Sequence, residues 1–177
     1  MTKAQPKTPQ QLFDALEQLN ISHTSVKHDA AMTVDESRAV RGEVPGLHSK
    51  NLFLKDKKGN LWLVVADEHR DIDLKNLRKR LGVANLSFGK PELLHDVLGV
   101  APGSVTPFAV INDRNGRVTV VLDKVLLEGE KVSFHPLTNT QTTTITGGDL
   151  GVFLRAMNHD PVVIDFLCDS LSNQQNK

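Results

Sequence analysis

The sequence predicts an α+β single domain built on a largely antiparallel or mixed sheet. Helix-period apolar stripes and β-branched runs are interspersed along the chain. Short polar turns join neighbouring strand runs where a βαβ rhythm would require helices. No internal repeat and no Pro/Gly-rich linker divides the 177 residues, a length that buries a sizeable core without disulfides or a structural metal.

The elements follow in order. Thr8-Pro9-Gln10-Gln11 carries the capping-box spacing, and Leu12, Ala15, Leu16 and Leu19 complete an apolar stripe. Ser22 to His28 is a short strand after a turn at Asn20. Thr33 to Glu36 repeats the capping-box pattern and opens a helix toward Val40. Residues 42–48 form a loop with two glycines and a proline. Asn51 to Lys55 and Leu61 to Asp67 are strands joined by the hairpin loop Asp56 to Asn60. Asp73 caps a helix that turns Leu74, Leu77 and Leu81 inward and stops at Gly82. Pro91 opens a further helix with Leu93, Leu94, Val97 and Leu98, ending at Gly99. Phe108 to Asn112 and Val118 to Leu122 are expected strands around the turn Asp113 to Gly116. Lys131 to His135 and Thr142 to Ile145 are two more. Gly147 to Asp149 leads into a helix bearing Leu150, Phe153, Leu154 and Met157. From Ser170 the tail is polar.

Composition narrows the function. The 21 Lys+Arg balance 21 Asp+Glu, which excludes a strongly basic nucleic-acid coat and leaves only local patches. The single cysteine, Cys168, allows no internal disulfide and no cysteine zinc site, and points weakly to a reducing compartment. The first ten residues, MTKAQPKTPQ, lack the apolar run of a signal peptide, and Leu61 to Ala66 is far short of a membrane span. The expected compartment is the cytoplasm.

Motifs for nucleotide, metal and triad chemistry are absent: no GxxxxGK[ST], GxGxxG, HExxH, CxxC or GxSxG occurs. The seven histidines are scattered without metal-ligand spacing, so no metal and no cofactor is expected. Lys75, Arg78, Lys79 and Arg80 form the solvated face of an amphipathic helix or, less favoured, a phosphate-contact patch. The chain has no tyrosine, which argues against an aromatic RNA-stacking sheet.

Three segments exceed what a bare scaffold needs. Gly46-Leu47-His48-Ser49-Lys50-Asn51 sets a lysine and an asparagine at the mouth of a strand. Gly103-Ser104-Val105-Thr106-Pro107 is a tight loop whose successive backbone N–H groups can point at an oxyanion or carbonyl. Phe134 to Thr144 is dense in hydroxyls and amides suited to orienting a small polar ligand.

On Pro45 to Asp56, the GxxxP loop Gly103 to Pro107, and Phe134-His135-Pro136-Leu137 with Asn139-Thr140, the chain resembles the YbaK and prolyl-tRNA-synthetase editing-domain superfamily. Within it, the resemblance is strongest to the free-standing ProX type and runs from about Pro9 to Phe166. It implies a mixed, barrel-like sheet surrounded by helices in one domain over residues 1–177. It implies hydrolysis of the ester joining a wrong amino acid to tRNA(Pro), alanine for ProX-type members and cysteine for the shorter YbaK type. The family lysine maps onto Lys50 and a family histidine onto His135. Met32 stands where the family carries an aromatic, which bears on the pocket wall.

Physical argument agrees with that activity. A synthetase site built for proline rejects a smaller amino acid by only ~1–3 kcal/mol, so a second sieve is needed. An aminoacyl ester is already activated, and positioned water with donors aimed at its carbonyl suffices. The expected roles are Lys50 and His135 at the reacting ester, Asn51 on the sugar or water, and Gly103, Ser104, Val105, Thr106, Pro107 and Met32 around the amino acid. The expected partner is the mischarged acceptor end of tRNA(Pro), with prolyl-tRNA synthetase a further candidate, no membrane, and a monomeric chain. Two alternatives stay open: a Cys-tRNA(Pro) deacylase and a non-catalytic tRNA-binding module of the same fold.

Overall fold

The computed structural model describes residues 3–30 and 44–166. Helix α1 (Pro9–Gln18) begins with the expected reciprocal capping box, in which the Gln11 amide donates to Thr8 Oγ1 and the Thr8 amide to Gln11 Oε1, and it buries Leu12 and Leu16. Strand β1 (Thr24–Lys27) follows. The helix expected at Thr33 to Val40 lies outside the described residues.

Strand β2 (Leu47–Asp56) is longer than the sequence suggests and organises the sheet. Gly46 leads into it at φ +104°, and a Cβ there would come within 2.6 Å of Lys131 Cβ and Lys131 O, so only glycine lets β2 start at this place. Strand β3 (Leu61–Asp67) pairs with it along the hairpin, Ser49↔Asp67 through Lys55↔Leu61. Asp56 closes the loop by accepting from the Lys58 and Asn60 amides, Asn60 Nδ2 and Trp62 Nε1. Helix α2 (Leu74–Leu81) has the expected Asp73 cap and ends at Gly82 with φ +70°. Strand β4 (Leu86–Phe88) and helix α3 (Pro91–Leu98), ending at Gly99, come next.

One expectation fails here. Pro107–Asn112 is a 3₁₀ helix rather than a strand. Pro107 fixes its first φ, the Thr106 hydroxyl accepts from the Phe108 amide, and Pro107 to Val110 are all buried, so no two-residue alternation exists to make a ladder face. Phe108 then meets Phe134 and Phe153 edge-on, with centroids at 5.6 and 5.5 Å. That packing nails the GxxxP loop to the core.

Strand β5 (Val118–Asp123), helix α4 (Lys124–Leu127), β6 (Val132–Phe134), β7 (Gln141–Ile145), helix α5 (Gly147–Ala156) and β8 (Val162–Ile164) complete the domain. The eight strands run β1-β7-β6-β2-β3-β5-β8, with β4 on β2. Pairs β2–β6, β3–β5 and β5–β8 are parallel and the rest antiparallel, a mixed sheet. A large core packs α1, α3, the 3₁₀ helix, α4 and α5 on one face. A smaller one packs Leu77 of α2 with Leu54, Val64, Ala66, Val121 and Phe166 on the other. No helix among the described residues is long and apolar enough to cross a membrane.

Candidate active site

The site begins where β2 loses a neighbour. On one edge, β2 pairs with β6 only through Leu47↔Val132 and His48↔Ser133. On the same edge, β4 takes over at Leu54. Between these ladders lie Ser49 to Phe53, paired on their other side to β3. Lys50 and Asn51 therefore sit at a gap in the sheet, both half-buried. The parallel register brings the chain beyond Phe134, starting with His135, out alongside this gap.

Lys50 Nζ donates to the Arg70 carbonyl in the loop after β3. Asn51 Nδ2 donates to Ser49 Oγ at 3.1 Å, while its Oδ1 is sealed from solvent with no partner among the described residues. An unmet buried acceptor costs about 1–3 kcal/mol and is suited to a ligand hydroxyl or water. His135 Nδ1 lies 3.0 Å from the Gln141 carbonyl, and its ring lies 6.4 Å from the His28 ring. His28 Nε2 in turn contacts Thr142 Oγ1 at 2.8 Å.

The GxxxP loop has already committed part of its backbone. Ser104 is buried and its amide donates to Ala101 O at 3.0 Å, so that N–H is already used. Thr106 is fully buried and caps the 3₁₀ helix. The amides of Gly103 and Val105 find no acceptor among the described hydrogen bonds and remain the loop's available donors, whereas the Thr106 amide is closed off by burial. Gly103 has φ +89°, and a Cβ there would meet only Asn139 Nδ2, at 3.9 Å. The loop thus faces the β6–β7 turn that begins with His135. Pro107 is buried at the loop's exit. Met32 lies outside the described residues.

Sequence reasoning missed the support behind Lys50. Asp123, fully buried at the end of β5, accepts from the Arg70 guanidinium at 3.0 Å and from the Asp67 amide at 3.1 Å. It also accepts from the Val125 amide at 3.3 Å, capping α4. An aspartate closing an apolar strand before a helix was the available sign. No group of three or more metal-ligating side chains occurs among the described residues.

With this geometry in view, residues 28–153 match the aminoacyl-tRNA editing domain. The chain belongs to that family. It is 40% identical over 161 residues to the prolyl-tRNA synthetase associated domain-containing protein 1 of Mus musculus, covering 88% of this chain and 95% of that one. It is 37% identical over 148 residues to the prolyl-tRNA editing protein ProX of Acetoanaerobium sticklandii, covering 83% and 90%. A crystal structure described as "a putative trans-editing enzyme for prolyl tRNA synthetase" shares the fold at a TM-score of 0.68 and 22% identity, over 89% of this chain and 94% of that one.

Proposed function

We propose that this editing-domain protein is a trans-acting hydrolase that deacylates Ala-tRNA(Pro) in the cytoplasm. The observation that carries the reading is Lys50, a half-buried lysine tied to the Arg70 carbonyl at a gap in the sheet, within a chain of the aminoacyl-tRNA editing family. Kinship with a prolyl-tRNA editing protein supports tRNA(Pro) as the substrate.

Water attacks the carbonyl carbon of the aminoacyl ester, and the carbonyl electron pair moves onto oxygen. The Gly103 and Val105 amides, with Gly103 allowing close approach, Pro107 fixing the loop and buried Thr106 anchoring it, are the donors assigned to that oxyanion. When the tetrahedral intermediate collapses, the bond to the ribose oxygen breaks and its electron pair leaves with that oxygen. The proton lost by the attacking water ends there, giving free alanine and tRNA(Pro). Lys50 binds the terminal adenosine phosphate or the ester carbonyl and places it for attack. Asn51, with its unmet Oδ1, accepts from the sugar or the water. Buried Ser104 shapes the pocket floor, and His135 borders the amino acid and orients it.

The test is hydrolysis of Ala-, Cys- and Pro-tRNA(Pro) by purified protein. Fast loss of alanine with proline spared is the expected result. Preferred hydrolysis of the cysteinyl ester would assign the Cys-tRNA(Pro) activity instead, and no hydrolysis of any ester would leave a tRNA-binding module.

A further inference from the structure

The residue with the most converging bonds near Lys50 is one the proposed chemistry does not use. Asp123 has no solvent exposure, and three donors reach it: the Asp67 amide, Arg70 Nε and the Val125 amide. Two of the three come from the end of β3 and the segment after it. That segment is a tight turn, with the Arg70 amide on Asp67 O at 3.0 Å and the His69 amide on Asp67 Oδ1 at 2.9 Å. Its outward bonds run to β2: the Glu68 amide to His48 O at 3.0 Å, and the Arg70 carbonyl to Lys50 Nζ.

Capping a four-residue helix does not require a buried charge, since a serine or asparagine would do it. Nor does a buried ion pair add stability over an apolar substitute of the same size, because two charges must be desolvated. The guanidinium presents its donors in a fixed planar fork, and with the Asp67 amide on the same carboxylate oxygen it ties both ends of the turn to Asp123. The Arg70 side chain is 19% exposed, enclosed enough for that hold to persist.

We propose that Asp123 and Arg70 are positioning residues for Lys50: the Asp123 carboxylate pins the turn after β3, and the Arg70 carbonyl in that turn fixes the lysine ammonium at the site. The inference rests on the reading of Lys50 as a substrate-placing group. A lysine otherwise samples many rotamers, and a charge held in one place lowers the reorganisation needed when the ester binds.

The experiment uses the full chain, uniformly carbon-13 labelled, as wild type, Arg70→Ala and Asp123→Asn. The Lys50 Cε–Hε cross-peaks are assigned by their loss in Lys50→Arg. A held ammonium gives two inequivalent Hε signals, and both variants should collapse them to the single averaged signal of a free lysine. In single-turnover hydrolysis of Ala-tRNA(Pro), the saturating rate should fall on the order of 10²-fold, the cost of an ångström-scale misplacement, with half-saturation unchanged. Unchanged Lys50 signals in folded Arg70→Ala overturn the proposal, as does an unchanged saturating rate. If either single variant fails to fold, Arg70→Ala combined with Asp123→Asn, which strands no buried charge, decides by the same two readouts. If wild type hydrolyses no aminoacyl-tRNA, the deacylase reading falls, and the Lys50 signals still decide whether Arg70 and Asp123 hold the lysine.

Discussion

His159 Nε2 and Asp113 Oδ2 meet at 2.9 Å with both side chains only 2% exposed, joining the chain after α5 to the turn before β5. Asp113 also accepts from the Arg117 and Val118 amides, and His159 Nδ1 lies 2.6 Å from Met157 O. The pair holds the far end of the 3₁₀ helix whose near end is the GxxxP loop. Burial opposes both charges, but the mutual bond and the backbone partners prevail: the histidine titrates above 6.5 and the aspartate below 3.8.

Stability should therefore be greatest between those two values. The histidine's contribution is fully present below its unfolded value of 6.5 and is lost as pH rises through its higher folded value. The aspartate's is fully present above 3.8 and is lost as pH falls through its lower folded value. His159→Ala should cost about 3–5 kcal/mol in that window by stranding a buried carboxylate. Urea denaturation across pH, on wild type and variant, measures both effects. A variant as stable as wild type would show that the pair carries no net stabilisation.

Much of the fold was legible because its signals are local. The Thr8–Gln11 box, the Asp73 cap and the stops at Gly82 and Gly99 each lie within one helical turn, and each is present. Pro107–Asn112 misled because a β-branched run has strand composition whatever its period, and Thr106-Pro107 decided for a 3₁₀ turn. Strands β4 and β8 span three residues each, too few to show periodicity. At the site, Lys50 and Gly103 were marked by their neighbours in sequence. The bond from Arg70 to Asp123 spans 53 residues, and the local sign, an aspartate closing β5, marks the cap of α4 and nothing of Arg70.

Lys50→Ala should leave the fold intact, because the side chain is half-buried and its one described bond goes to a loop carbonyl. Thermal stability should change by less than ~1 kcal/mol. Deacylation of Ala-tRNA(Pro) should fall by on the order of 10²-fold or more, because the charge that places the ester is gone. The measurements are a melting curve and single-turnover hydrolysis. A wild-type rate would remove Lys50 from the mechanism.

Binding of tRNA should be weak and salt-sensitive, since the chain has no net charge and only patches can meet phosphates. Lys75 and Lys79 are exposed on α2, directly after the turn that holds Lys50. Arg78 and Arg80 are partly engaged with the Ala84 and Asp165 carbonyls. Lys75→Ala with Lys79→Ala should reduce the slope of log affinity against log salt by about one unit for each phosphate that the two lysines neutralise. An unchanged slope in a titration of tRNA(Pro) would show that the RNA backbone is met elsewhere on the surface.

Gly103 tests the sieve. Its φ of +89° is available to glycine and strained for alanine, while the space a Cβ would enter is open except for Asn139 Nδ2 at 3.9 Å. The cost of Gly103→Ala is therefore conformational rather than steric, roughly 1–2 kcal/mol and a few degrees in Tm. A loop that relaxes toward negative φ turns the Gly103 and Val105 amides away from their present direction. Loss of one oxyanion donor lowers a rate by ~10²–10³-fold, so alanine deacylation should fall steeply while the protein stays folded. Gly103→Asn separates the two causes, because asparagine tolerates positive φ but projects toward Asn139. If strain alone matters, Gly103→Asn keeps more activity than Gly103→Ala; if the pocket is filled, it keeps less. Single-turnover hydrolysis of Ala-tRNA(Pro) by both variants gives the order. Unchanged hydrolysis in both would put the amino-acid pocket away from the GxxxP loop.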